Sequence, residues 1–186
     1  RIRDVQATGI GAIPICSSAG YCVGKLESDL SYPKNIASPI KILIEASNGA
    51  SDYGNKIGEP IIQGFTRTFK QTINNQDYEW TKPIMFTGGI GMVCDKNLIK
   101  STPTDNMLVI QIGGPAYRIG LGGGAASSLA NTDQSNFSAI QRGDPEMANR
   151  LYRVIKILSE NNLIQSIHDQ GAGGMANVTK EIISPI

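Results

Sequence analysis

The chain has 186 residues, of which 40% are hydrophobic, and a formal net charge of +1. That length suits one good domain or two small ones, no apolar run reaches transmembrane length, and no basic segment followed by an apolar core marks a signal peptide. The near-neutral charge leaves no electrostatic footprint for nucleic acid, and three cysteines (Cys16, Cys22 and Cys94), odd in number and without C-x-x-C spacing, argue against a disulfide framework or a zinc site and fit a reducing cytoplasm.

Glycine contributes 21 residues, many of them clustered, which points to loops that turn sharply or approach a ligand closely. At the start, Arg3-Asp4 followed by Ala7-Thr8-Gly9 suits a helix that ends in a glycine turn. The charged pair reads equally well as a surface ion pair, worth about 0–1 kcal/mol. Gly20 to Lys25 looks like a phosphate loop but fails its test. Ala19 stands where the motif needs its first glycine, and Leu26 where it needs Ser or Thr. Residues 28–38 are polar and read as a loop.

Pro39 to Ala46 reads as a strand with Ile40, Ile42 and Ile44 on one face, and residues 47–60 as a loop. A second strand runs from Ile61 through Phe65, Arg67 and Phe69 to Ile73, with Asn74-Asn75 as a hairpin turn. Pro83 to Val93 reads as a buried strand interrupted by its glycines. The polar stretch 95–106 is the candidate domain boundary. Met107 to Ile112 reads as a further strand.

Within the glycine-rich stretch 117–128, Gly120, Gly122 and Ala125 satisfy G-x-G-x-x-A. A dinucleotide loop also needs a second strand ending in an acid about 20 residues on, and none follows. A loop that packs closely or binds phosphate fits better, and residues 131–138 read as polar linker. Asp144 as N-cap and Pro145 at the first helical position start a helix. Its apolar stripe is Met147, Leu151, Val154, Ile155 and Leu158. Gln141 lies just outside that helix start, where its amide can reach a ligand or simply meet solvent.

Leu163-Ile164 with Ile167 reads as a short buried strand, and residues 177–183 as a helix. Between them stand His168, the single histidine, then Asp169 and three glycines in four positions. An acid at a strand end before a glycine turn suits a metal ligand, and it equally suits a capping residue. The chain begins at Arg1 and ends after Ser184-Pro185, and so reads as a piece of a longer protein.

Three stretches taken together carry a resemblance: G-G-P-A-Y-R-I-G-L-G-G-G-A-A-S-S (113–128), Q-R-G-D-P-E-M (141–147) and H-D-Q-G-A-G-G (168–174). With R-I-R-D (1–4) and K-P-I-M-F-T-G-G-I-G (82–91) in the same order, the sequence resembles the large form of phosphoribosylformylglycinamidine synthase. The resemblance implies an α/β (α+β) fold like that of aminoimidazole ribonucleotide synthetase, with two subdomains, both incomplete here. Residues 1–100 would be the later part of the first subdomain and 104–186 the start of the second.

It further implies a carbon–nitrogen ligase of purine biosynthesis. Such an enzyme converts formylglycinamide ribonucleotide to the amidine, with ATP, Mg2+ and ammonia drawn from glutamine by a glutaminase domain outside these residues. Position by position, Arg3 and Gln141 would contact substrate, and Gln63, Gly64 and Phe65 the nucleotide. Asp4 and Asp169 would ligate magnesium. No catalytic residue falls within this stretch, His168 receives no role, and the stretch alone should not turn over. Two alternatives remain: a copy of the unit that holds a nucleotide for structure, or another small-molecule kinase or synthetase of the superfamily. Intact Arg3, Asp4, Gln141 and Asp169 favour the catalytic copy.

Overall fold

A computed structural model describes residues 1–27, 32, 36–114, 144–171 and 174–183. The chain divides into two compact units, one of Arg1 with Ile15–Ile90 and one of Ile2–Pro14 with Gly91–Ile186. Helices and sheets are mixed, as an α/β chain requires.

In the first unit the sheet is built on β1 (Ile13–Val23), with β2 (Ile61–Thr68) on one side and β5 (Ile84–Met92) on the other. β1 and β2 are parallel, pairing Ser18 with Gln63 through Val23 with Thr68. A parallel pair needs a long crossover, and α2 (Pro39–Ile57) supplies it. This overturns the expected strand at 39–46 and loop at 47–60. Ser38 caps α2 by accepting from Lys41 N at 3.4 Å, Pro39 presets the first turn, and Gly58 ends it at φ 83°. The alternating isoleucines mimicked a strand, but a Ser-Pro start and a glycine stop enclose a helical length of 19 residues.

The expected hairpin is present. β3 (Lys70–Ile73) and β4 (Gln76–Glu79) pair antiparallel, and Asn74 and Asn75 turn between them at φ 51° and 59°. Both central residues have positive φ, as a type I′ turn demands. The long strand expected through Phe69 breaks there into β2 and β3. β5 is continuous, contrary to the expected interruption, and most of it is exposed, contrary to the expected burial. Its glycines serve close approach instead: a Cβ on Gly89 would sit 2.9 Å from the Cys16 carbonyl oxygen. Val23, Ala19, Cys22 and Ile57 form the buried apolar set of this unit.

The second unit is held by α1 (Ile2–Gln6), a 3-10 turn (Asp95–Asn97), α3 (Pro145–Glu160) and α4 (Gly174–Ile183). The capped start of α3 is as expected, with Met147 N donating to Asp144 Oδ1 at 2.9 Å. Of its apolar stripe, Ile155 is buried while Val154 is 41% exposed. Ile2, Ile10, Ala12, Ile155 and Val178 are the buried apolar residues here, with Gln6, Asn97 and Ser159 buried among the polar ones.

Two expected strands do not form. Residues 107–112 have no ladder partner among the described residues and leave Leu108 86% exposed. Residues 163–167 are irregular, with Leu163 69% exposed. In both cases an apolar run lacks the neighbouring strand that a ladder requires. The glycine-rich stretch 117–128 and the linker 131–138 lie outside the described residues. Among the described residues no helix is long and apolar enough to cross a membrane.

Candidate cation and phosphate site

The second unit brings together residues far apart in sequence. α1 is a single short turn, extended when Ala7 N donates to Arg3 O at 2.9 Å and Thr8 N to Val5 O at 3.0 Å. Ile2 and Gln6 face inward, which turns Arg3 and Asp4 outward. The helix must stop at once, because Gly9 takes a left-handed φ of 59° and Ile10 N then donates to Asn97 O at 2.8 Å. At Gly9 a Cβ would lie 2.0 Å from that same Asn97 oxygen. Glycine is required there by both conformation and space. Asn97 is held in turn by Ser159, whose Oγ accepts from Nδ2 at 2.9 Å in a buried setting. The place of α1 is thus tied to α3.

Asp169 meets this turn. Its carboxyl lies beside that of Asp4, close enough for the two to share a proton, and Arg3 Nη1 lies 3.9 Å from Asp169 Oδ1. The Asp169 side chain is 19% exposed, against 55% for Arg3. Burial pushes the Asp169 carboxyl above the usual range, and the neighbouring Asp4 carboxyl acts the same way, while the Arg3 guanidinium opposes both. Gly171 N donates to Asp169 O at 2.9 Å and closes the loop beneath it. Ser101 N donates to Gln165 O at 2.8 Å, and Gln111 Nε2 to Gln170 Oε1 at 3.0 Å, so both flanks of the loop are anchored.

Two adjacent carboxyl groups, one of them largely buried, are stable when they share a proton or a cation. The donor set is hard oxygen, which suits Mg2+ or Ca2+ rather than a softer metal. Among the described residues no three His, Cys, Asp or Glu side chains cluster as a closed metal cage. Magnesium does not need one, since it takes one or two carboxylates and fills its remaining positions with water and phosphate oxygens. Arg3 beside the pair adds a fork that matches a phosphate or carboxylate.

His168, the residue before Asp169, is part-buried, with Nε2 2.9 Å from Ser166 Oγ. Burial pulls its pKa down, Lys100 adds to that, and Glu181 opposes it. The surroundings of His168 were not legible in the sequence: Ser166 is a commonplace loop residue, and Glu181 approaches only through the packing of α4.

Three further expected site residues belong to the first unit. Gln63, Gly64 and Phe65 lie on β2. Gly64 has no room for a side chain, since a Cβ would meet Ala19 O at 2.3 Å across the ladder. The Phe65 ring covers Gly20, stands 5.6 Å from the Phe86 ring, and lies 5.7 Å below the Arg67 guanidinium. An exposed aromatic surface with a cation over it suits a stacked base. Arg1 and the buried Glu59 form a two-pronged ion pair in the same unit, a partnership with no trace in the sequence pattern. A cleft of about 360 Å³ lined by Tyr21, Leu43, Ile44, Ser47, Asn48 and Thr66 has no charged side chain and so is a poor host for phosphate. Gln141 lies outside the described residues.

Comparison with known proteins gives two kinds of match. Residues 104–185 match the family described as AIR synthase related protein, C-terminal domain. The whole chain is similar to the probable phosphoribosylformylglycinamidine synthase, chloroplastic/mitochondrial, of Arabidopsis thaliana, at 54% identity. It is also 50% identical, again over its whole length, to the phosphoribosylformylglycinamidine synthases of Dictyostelium discoideum and Homo sapiens. The chain spans only 14–15% of the length of these relatives.

Proposed function

We propose, from its similarity over its whole length to phosphoribosylformylglycinamidine synthases, that this chain is part of the site at which such an enzyme phosphorylates and aminates its substrate. The reaction is ATP-dependent conversion of formylglycinamide ribonucleotide, with ammonia taken from glutamine, to the amidine. The observation that carries this reading is the meeting of Arg3, Asp4 and Asp169 on one surface of the second unit.

In this reading ATP phosphorylates the amide oxygen of the substrate, and ammonia then displaces the phosphate. Asp4 and Asp169 are the residues that hold Mg2+, which when bound neutralises charge on the transferring phosphoryl oxygens. The pairing of the two carboxyls and the burial of Asp169 fit that role, because a cation relieves both. Arg3 orients the anionic substrate beside them, and Gln141 contacts the substrate. Gln63, Gly64 and Phe65 contact the nucleotide, supported by the half-exposed Phe65 ring on β2. No nucleophilic side chain is needed, since the attacking groups belong to the substrates. Glutamine hydrolysis falls outside these residues.

Residues 1–100 and 104–186 then belong to two successive subdomains. A reducing compartment, for which we take the cytoplasm, is supported by three free thiols. The presence of both acids favours a catalytic unit over a copy that keeps a nucleotide for structure.

The test uses a full-length synthetase carrying this sequence. ADP release that depends on formylglycinamide ribonucleotide is compared between wild type and Asp169→Asn. Loss of a cation ligand should lower the rate by orders of magnitude with the fold preserved. An unchanged rate would remove Asp169 from the site and undo the reading.

A further inference from the structure

His168 stands next to Asp169 and has no part in the chemistry above, yet its ring is engaged from both sides. Nε2 lies 2.9 Å from Ser166 Oγ. Nδ1 faces Glu181 Oε2 at 3.6 Å. Glu181 is itself held on α4, where Asn177 Nδ2 donates to its Oε1 at 2.5 Å. A string of polar contacts thus runs from α4 through Glu181 and the imidazole to Ser166, and it fixes the residue that immediately precedes Asp169.

Glu181 can only accept when ionised, which favours the proton on Nδ1 and leaves Nε2 to accept from the Ser166 hydroxyl. The His168 side chain is 15% exposed, so water competes little for these contacts. The anchor at Gln170 holds the residue after Asp169, and the contacts of the imidazole hold the residue before it. A ligating carboxylate must be held to within about 0.5 Å of its working position, which takes partners of this kind behind it.

We propose that Ser166, His168 and Glu181 form a positioning chain that orients Asp169 toward Asp4 and thereby sets the cation affinity of the site. The proposal rests on the reading of Asp4 and Asp169 as cation ligands. His168 is a positioning residue in it and touches no reacting atom.

The experiment measures Mn2+ binding in the presence of ADP, through the electron paramagnetic resonance signal of free Mn2+, in the full-length synthetase. Four proteins are compared: wild type, Glu181→Gln, His168→Phe and Asp169→Asn. Removing an orienting partner typically costs about 10–100-fold in metal affinity or activity. Glu181→Gln and His168→Phe should therefore raise the half-saturating Mn2+ by about that factor, and turnover should recover at raised Mg2+. Glu181 is half-exposed, so Glu181→Gln should keep the wild-type urea midpoint and decides the matter if His168→Phe unfolds.

Unchanged Mn2+ affinity in folded Glu181→Gln, with binding abolished in Asp169→Asn, overturns the positioning chain and leaves the cation site standing. Unchanged binding in Asp169→Asn removes the cation site, and the positioning chain with it.

Discussion

Replacing Gly9 by alanine tests the arrangement that places Arg3 and Asp4. Gly9 sits at φ 59°, where a Cβ costs about 1–2 kcal/mol. The new methyl would stand 2.0 Å from the Asn97 carbonyl oxygen and 3.0 Å from that of Leu98. These are backbone atoms, so relief requires moving the 3-10 turn. That movement strains the 2.8 Å bond from Ile10 N to Asn97 O, with a net value of about 1 kcal/mol. It also pulls Asn97 from Ser159, and an orphaned buried partner costs a further 1–3 kcal/mol or so.

The sum is about 3–6 kcal/mol, a large part of the roughly 5–15 kcal/mol that holds a domain together. Urea unfolding followed by circular dichroism measures it, with Gly49→Ala as the comparison. Gly49 lies inside α2 with open space around its Cβ position, so alanine there should stabilise by about 0.5–1 kcal/mol. If Gly9→Ala unfolds at the same urea concentration as wild type, the close approach of Gly9 to Asn97 is not as described.

Three further outcomes follow from the same geometry. Asp169→Asn should raise the urea midpoint of the cation-free protein at pH 7 while abolishing turnover. The sign is set by burial: a carboxyl whose folded pKa is raised favours folding at low pH, and that advantage is lost as pH rises through the raised value. An unchanged or lowered midpoint would contradict it. Tyr32 donates to Glu79 Oε1 at 2.7 Å, and burial, then that contact, push its phenol up to about 12. Its contribution is therefore complete below about 10 and vanishes as pH rises through about 12, so the stability gap between wild type and Tyr32→Phe should close over that window. An ultraviolet titration that finds Tyr32 ionising near 10 would refute this. Ser159→Ala should cost about 1–3 kcal/mol by stranding Asn97 Nδ2, and a loss below about 0.5 kcal/mol would show that the bond is replaced.

The elements that sequence alone determined are those whose instructions are local. Asp144-Pro145 supplies a cap and a preset first turn, and α3 begins there whatever surrounds it. Asn74-Asn75 tolerates positive φ, and the hairpin closes on two residues. Arg3-Asp4 and Asp169 stand in long collinear motifs that drew attention to them, though their separation in sequence left their meeting unstated.

Tertiary structure decided what depends on neighbours. The isoleucines at 40, 42 and 44 fit a strand period, but the parallel pairing of β1 with β2 demands a crossover, and the segment became α2. Residues 107–112 have a strand's composition and remain unpaired among the described residues, because a ladder needs a partner and composition cannot provide one. The glycines of β5 looked like a break and proved to be places where another strand's backbone comes close.

His168 shows the same division at the site. Its adjacency to Asp169 is written in the sequence, while its contact with Glu181 exists only once α4 has packed against the loop. Periodicity and capping act over a few residues and can be read directly; strand pairing, carboxylate pairing and ring orientation arise from groups that folding alone brings within a few ångströms of each other.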